Sequence, residues 1–192
     1  MNAREVPELA AVLARAFHED PQAMWLVPND SRRARTLERG FDLFLRRRWF
    51  PEGECYTTEA GLGIAIWEPP GTEQPSTLQQ LRLLPSMALA YGRYLPRLMG
   101  VISVQESNHP RKAHYYLAFV GVEPECQNRG IGAGLMRPIL DRVDREGVPA
   151  YLEATSPRSR RLYERLGFEV TEEFHLGKGA PPAWRMWREG AV

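Results

Sequence analysis

The sequence predicts an α/β fold: a mixed, mostly antiparallel central sheet flanked by helices. Three stretches predict it. The apolar run Tyr115 to Val122 leads through a glycine-rich turn, Gln127 to Gly134, into an amphipathic segment from Leu135 to Val143, as a strand does when it hands over to a helix. Residues Ala150 to Val170 show the same alternation: a strand, a Ser-Pro turn, a short helix stopped by Gly167, and a new strand. Two short runs, Glu54 to Thr58 and Leu62 to Glu68, flank Glu59-Ala-Gly61 and read as a hairpin. With 192 residues and 43% hydrophobic content, the chain suffices for one core, and a single domain spanning 1–192 is expected.

Taken in order, Val6, Leu9, Val12, Leu13, Ala16 and Phe17 recur at helical spacing, with Pro7 in the tolerated first turn. Phe17 to Trp25 reads as a loop rich in aromatic and acidic groups. Ser31 can cap a second helix whose apolar face holds Leu37, Phe41, Phe44 and Leu45. Arg32, Arg33, Arg35, Arg39, Arg46, Arg47 and Arg48 fill most of its other positions. With Glu38 and Asp42 interspersed, they read as a solvated face, and secondarily as a cationic rim for phosphates.

After the hairpin, Glu68 to Pro75 is turn chemistry, and 76–104 reads as helix interrupted at Pro85 and Pro96. Met87, Leu89, Tyr91, Tyr94 and Leu98 either line a pocket or pack on the core. His114 to Val122 is the central strand. Pro138 should kink the helix after the glycine turn, because it removes the bond to the Gly134 carbonyl. Strands near Glu169 to Leu176 and Ala183 to Arg188 flank Gly177 to Pro182 and complete the sheet.

A net charge of +1 gives no global attraction to nucleic acid or a membrane surface. Two cysteines, Cys55 and Cys126, make no disulfide framework, no apolar stretch approaches the ~18 residues of a membrane span, and the N-terminal residues form no signal-peptide core. A cytoplasmic protein, monomer or homodimer, is expected. Four histidines form no metal-ligand pattern, so no metal is assigned.

The glycine turn suits an anion, since the first amides of a helix lack intrahelical partners and glycines let a phosphate approach the backbone. Its G-x-G-x-G run fits neither the dinucleotide nor the Walker pattern. Read as Q-x-x-G-x-G, Gln127 to Gly132 resembles the acyl-CoA-binding motif of the GNAT superfamily of N-acetyltransferases. The resemblance is strong over Ala113 to Val170 and closest to the puromycin N-acetyltransferase-like group, through Ala65 to Trp67, Phe119 to Val122 and Leu162 to Phe168.

That resemblance implies the GNAT fold, with an acetyl-CoA-binding core at 113–170. It also implies a helical insertion (76–104) between the third and fourth strands, counting the strand with which such chains usually open; only a few residues precede the first helix here. The insertion is read as a wall of the acceptor pocket. Acetyl-CoA is the implied cofactor, its diphosphate on the amides of Gln127, Asn128, Arg129, Gly130, Ile131, Gly132 and Ala133. Backbone amides of Val120, Gly121 and Val122 would face the acetyl carbonyl. Ser156 and Ser159 would approach the pantetheine, Ser159 standing where relatives commonly carry asparagine.

Acetyl transfer to an amine needs a neutral nitrogen, a stabilised carbonyl oxygen and a protonated leaving thiolate. Tyr163 matches the family tyrosine near the thioester sulfur and is the candidate acid. Glu153, on the strand beside the cleft, is the first candidate base, and His114 the second. The acceptor is expected to be a small amine, with Trp25, Trp67, His114 and Tyr116 as acceptor-side candidates and Tyr115 a further aromatic. Two other readings stay open: a protein or peptide N-acetyltransferase, and a non-catalytic acyl-CoA-binding module.

Overall fold

A computed structural model describes residues 4–72 and 77–191. The α/β expectation holds: six strands form one sheet in the order β1-β2-β3-β4-β6-β5, with helices on both faces. The strands are β1 (Glu54–Thr57), β2 (Gly63–Glu68), β3 (Tyr115–Val122), β4 (Ala150–Ala154), β5 (Glu169–His175) and β6 (Pro182–Arg188). Only β3 and β4 run parallel; every other neighbouring pair is antiparallel.

Two apolar layers sandwich the sheet. On one face α7 (Ile131–Glu146) and α8 (Pro157–Arg165) cover Trp67, Leu117, Leu152 and Met186. On the other, α1 (Val6–Ala16) and α3 (Asp30–Phe44) cover Ile64 and Ile66. Alternation along β2 explains the split, since successive side chains leave a strand on opposite faces. Gly121 lets α1 approach β3: a β-carbon there would lie 2.8 Å from Leu13 Cδ2 and 3.2 Å from the Ala16 β-carbon.

Several local expectations change. Among the described residues no strand precedes α1, so β1 is a sheet edge and the insertion falls between β2 and β3. The expected loop at Phe17 to Trp25 contains α2 (Pro21–Leu26), capped by Asp20. Asn29, not Ser31, caps α3: its side chain accepts from the Arg32 amide, and the Ser31 hydroxyl donates to Asn29 instead.

The arginine-rich face is not wholly solvated. Arg33 is buried and donates to the carbonyls of Val27 and His18. Past α3, a π-helical turn (Leu45–Trp49) leads into α4 (Phe50–Glu52) and places Arg48 against buried Glu68.

The insertion is α5 (Thr77–Tyr91), a 3₁₀ turn (Gly92–Tyr94) and α6 (Leu95–Asn108). Helix α5 runs through Pro85; the break comes at Gly92, whose φ is 52°, and Pro96 sits in the first turn of α6. Likewise α7 stays helical through Pro138. Met87, Tyr91, Tyr94 and Leu98 form a small core with Val27, whereas Leu89 is exposed.

Candidate active site

A fork in the sheet creates the site. Strands β3 and β4 pair only at Tyr115/Ala150, Tyr116/Tyr151 and Leu117/Leu152. Beyond Leu117 a bulge at Ala118 shifts the β2–β3 register, with Ile66 opposite Phe119 and Trp67 opposite Leu117. A bulge bends its strand, and here it coincides with the parting of β3 from β4.

The backbone on the open side of β3 follows from alternation. The Glu123 amide donates to Leu62 on the β2 side, so the amides of Val120 and Val122 point into the fork while that of Gly121 points toward β2. Gln127 Nε2 donates to the Val122 carbonyl at 3.0 Å. The glutamine of the glycine motif thus ties the turn to the strand.

At the turn, Gly130 precedes α7 with φ 81°, Asn128 takes φ 63°, and the first helical bond runs from the Gly134 amide to the Gly130 carbonyl. Glycine provides no capping side chain, so the amides of Ile131, Gly132 and Ala133 have no intrahelical acceptor. A β-carbon at Gly130 or Gly134 would meet nothing within 4 Å, and one at Gly132 only ordinary contacts. This half-buried row of free donors fits a diphosphate. Arg129 lies in the turn, and Arg158 on α8 donates to Asn128 Oδ1 at 3.0 Å.

On the far arm of the fork, Ser156 and Ser159 form a reciprocal cap at the start of α8, each hydroxyl accepting from the other residue's amide. The Ser159 hydroxyl is therefore occupied by the helix. Tyr163, one turn further on, is buried against Phe168 and reaches the cavity described next. Its hydroxyl makes no hydrogen bond among the described residues. Burial, and the negative charge of Asp20, push its pKa up, so the phenol keeps its proton across the physiological range.

A cavity of about 270 Å³ opens from the fork toward the insertion. Its wall is largely aromatic and aliphatic, with Phe41, Phe44, Trp49 and Phe119 from the core and Met87, Tyr91 and Leu98 from the insertion. Polar groups sit at two places. At one, buried Glu68 takes both nitrogens of Arg48 at 3.0 Å and the Trp49 indole at 3.2 Å, close to His109. At the other, Asp20, Glu153, Thr155 and Tyr163 line the fork.

Glu153 accepts from Gln105 at 2.8 Å and Tyr116 at 3.2 Å through Oε2, and from Tyr151 at 3.0 Å through Oε1. Burial raises its pKa, partly opposed by these three donors and by Arg185. Asp20, missed by the sequence reading, accepts from the Thr155 hydroxyl at 2.6 Å, and burial raises its pKa too. The only sequence cue to it was its place before Pro21, a helix-cap signal that carries no chemistry by itself.

The acceptor-side candidates separate. Tyr116 lines the cavity. Trp67 is fully buried on the opposite face of the sheet beneath α7, as the period of the strand requires. Trp25 packs near Phe174 and Leu176 under Arg97, whose guanidinium lies 5.6 Å from its ring. His114 lies behind the wall, its ring tilted against that of His109 at 4.9 Å, its Nδ1 2.6 Å from the Lys112 carbonyl and its Nε2 without a partner among the described residues. His109 lines the cavity instead, and burial, His114 and Arg48 lower its pKa to about 4. Tyr115 faces α7 and donates to Glu146.

At the surface, His18, Glu19 and Asp30 bring potential ligand atoms within 4.8 Å of one another, but Arg33 already donates to Asp30. Among the described residues no helix is long and apolar enough to cross a membrane.

Comparison with known proteins decides the family. Residues 51–168 match the model of the acetyltransferase (GNAT) family. The chain belongs to the GNAT acetyltransferase family. It is thus an acyltransferase of a family whose members take acetyl-CoA as acetyl donor. An uncharacterised N-acetyltransferase of Schizosaccharomyces pombe is 25% identical over 188 residues, covering 92% of this chain and 75% of that one. A mycothiol acetyltransferase of Brachybacterium faecium is 39% identical over 64 residues, which are 32% of this chain and 19% of that one. Among solved structures, one described as a histone acetyltransferase HPA2 and related acetyltransferase from Corynebacterium glutamicum superposes with a TM-score of 0.72 at 24% identity, covering 100% of this chain and 94% of that one. This GNAT chain shares its fold.

Proposed function

We propose that this GNAT protein is an acetyl-CoA-dependent N-acetyltransferase that transfers the acetyl group directly to the amine of a small molecule. The observation that carries the reading is the apolar cavity of about 270 Å³ joined to the fork, walled by the α5–α6 insertion and bearing Glu153 and Tyr163. Its volume and lining favour a compact amine with an apolar body over an extended peptide. The resemblance to the puromycin N-acetyltransferase-like group and the partial match to a mycothiol acetyltransferase both support a small acceptor.

When bound, acetyl-CoA supplies an acyl group activated as a thioester. The amides of Ile131, Gly132 and Ala133 hold its diphosphate, and those of Val120 and Val122 direct hydrogen bonds at the carbonyl oxygen as negative charge gathers there. Glu153 takes one proton from the incoming ammonium so that a neutral nitrogen attacks, and its raised pKa makes it a better base than an exposed carboxylate. Tyr163 donates a hydrogen bond to the sulfur, which would keep the electron pair of the broken C–S bond and take the proton that the nitrogen sheds as the N–C bond forms. With its pKa pushed above that of a free phenol, Tyr163 serves as a donor that retains its proton.

Incubating the protein with acetyl-CoA and a panel of small amines, with thiol release and product mass read together, tests the proposal. Acetylated amine with stoichiometric free thiol is expected. CoA binding with no amine acetylated, or turnover confined to peptides, would refute it.

A further inference from the structure

We infer that Asp20 is an acceptor-binding residue: its carboxylate, clasped by Thr155 and facing the same end of the cavity as Tyr163, receives the ammonium group of the incoming amine and stabilises positive charge on that nitrogen during attack. The inference rests on the reading of the cavity as the acceptor site.

Three structural facts carry it. First, Asp20 lines the cavity with Glu153, Thr155 and Tyr163, so two carboxylates flank the place where the fork opens. Second, its oxygens are held by neutral donors. Oδ1 accepts from the amides of Gln22 and Ala23 at 2.9 and 3.3 Å, and Oδ2 from the Thr155 hydroxyl at 2.6 Å. A carboxylate oxygen can accept two hydrogen bonds, so Oδ2 keeps capacity for one more donor.

Third, at the other end of the cavity buried Glu68 is paired with Arg48, whereas the two carboxylates at the fork are not paired with arginine: Glu153 is held by three neutral donors. Asp20 has no such cation among the described residues. A carboxylate withdrawn from water without a cation is unfavourable, and an ammonium group entering the cavity removes that penalty. The cavity itself selects the rest of the ligand: Phe17, Phe41 and Phe119 surround this end with aromatic rings 5.2–5.8 Å apart. The ligand class that meets both demands is a primary amine on an aromatic or aliphatic body.

The clasp also fixes geometry. Asp20 begins α2, and Gln22 on the same helix donates to the Pro181 carbonyl at 2.8 Å. Helix α2 is thereby fastened to the end of β4 and to the start of β6, and the Asp20 carboxylate is held with few rotamers open to it. Glu153 first takes one proton from the bound ammonium and frees its lone pair; the nitrogen becomes positive again as the N–C bond forms, and its second proton passes to the sulfur as the C–S bond breaks. Asp20 remains ionised throughout and exchanges no proton.

Asp20→Asn removes the charge and keeps the fold, because asparagine Oδ1 still accepts from the Gln22 and Ala23 amides and its Nδ2 can donate to the Thr155 hydroxyl oxygen. Calorimetric titration of the full chain loaded with CoA would compare 2-phenylethylamine with 2-phenylethanol, which differ in charge at equal size. The wild type is expected to bind the amine about tenfold more tightly or better, as a charge-assisted hydrogen bond implies, and Asp20→Asn is expected to lose that preference. An equal preference in the variant, or no binding of the amine to the wild type, would overturn the inference. In turnover, Asp20→Asn should raise KM for the amine about tenfold with KM for acetyl-CoA unchanged. A drop in melting temperature with both preferences intact would mean that Asp20 serves α2 alone. Because the calorimetry needs no turnover, a failed transfer reaction and a failed ammonium site are told apart.

Discussion

Glu153 on β4 stands directly opposite Arg185 on β6, yet no hydrogen bond joins them. Arg185 turns to Glu172 and lies over the Phe174 ring, while Glu153 turns to Gln105, Tyr116 and Tyr151. A ready-made ion pair is left unmade, and the carboxylate faces the cavity with a raised pKa.

The acidic limb of the kcat/KM profile should therefore lie above the ordinary carboxylate range. As pH falls through that pKa Glu153 gains a proton and the rate is lost; Glu153→Gln should cut kcat by about 10²–10⁴ and abolish the limb. Stability runs the other way. A carboxyl group with a raised folded-state pKa stabilises the fold when protonated, so its contribution is present at low pH and fades as pH rises through the folded pKa. Paired pH–rate and pH–melting series on wild type and variant check both signs.

Tyr163→Phe should lower kcat by about 10²–10³, the loss of one donor to developing charge, without destabilising the protein, since its hydroxyl makes no hydrogen bond among the described residues. Its pKa is raised, so the alkaline limb of the rate profile should not report its ionisation. Steady-state kinetics and a melting curve on the same preparation test this.

The histidine pair at the cavity wall predicts an acid-side weakness. Burial lowers the pKa of both His109, to about 4, and His114. Their neutral forms stabilise the fold above the free-histidine value near 6.5, and that contribution is lost as pH falls toward 4. His109 is partly exposed, so its share is on the order of 1 kcal/mol after solvent screening. His109→Gln should flatten the melting temperature between pH 6.5 and 4.5.

Gly121→Ala should destabilise by about 1–3 kcal/mol through overpacking, because Leu13 and Ala16 press on that position from α1 and Leu13 is fully buried. Denaturant titration gives the loss directly. Gly134→Ala, within α7 and with nothing near the added carbon, is the control and should stabilise by up to about 1 kcal/mol.

Much of this was legible in the residues. Apolar pattern marked β3 and α7 because burial imposes it directly, turn and stop signals marked β2 and α8, and the Gln127 to Gly134 turn was readable because its glycines answer a local backbone demand. Elements set by tertiary contacts were not. Asp20 becomes part of the site only when α2 meets Thr155, 135 positions away in the chain. Trp67 and Tyr116 looked equivalent as strand aromatics, and only the sheet's facing separates them: Trp67 lies beneath α7 and Tyr116 on the cavity. The continuity of α5 through Pro85 was likewise unreadable, because a proline signals a break wherever packing does not override it.

The most direct test of the central claim is an experimental structure of the protein with CoA and an amine in place. The diphosphate should lie on the amides of Ile131, Gly132 and Ala133, the sulfur within hydrogen-bonding distance of the Tyr163 hydroxyl, and the amine in the cavity beside Asp20 and Glu153. A thiol end outside the β3–β4 fork, or a diphosphate away from the start of α7, would contradict it.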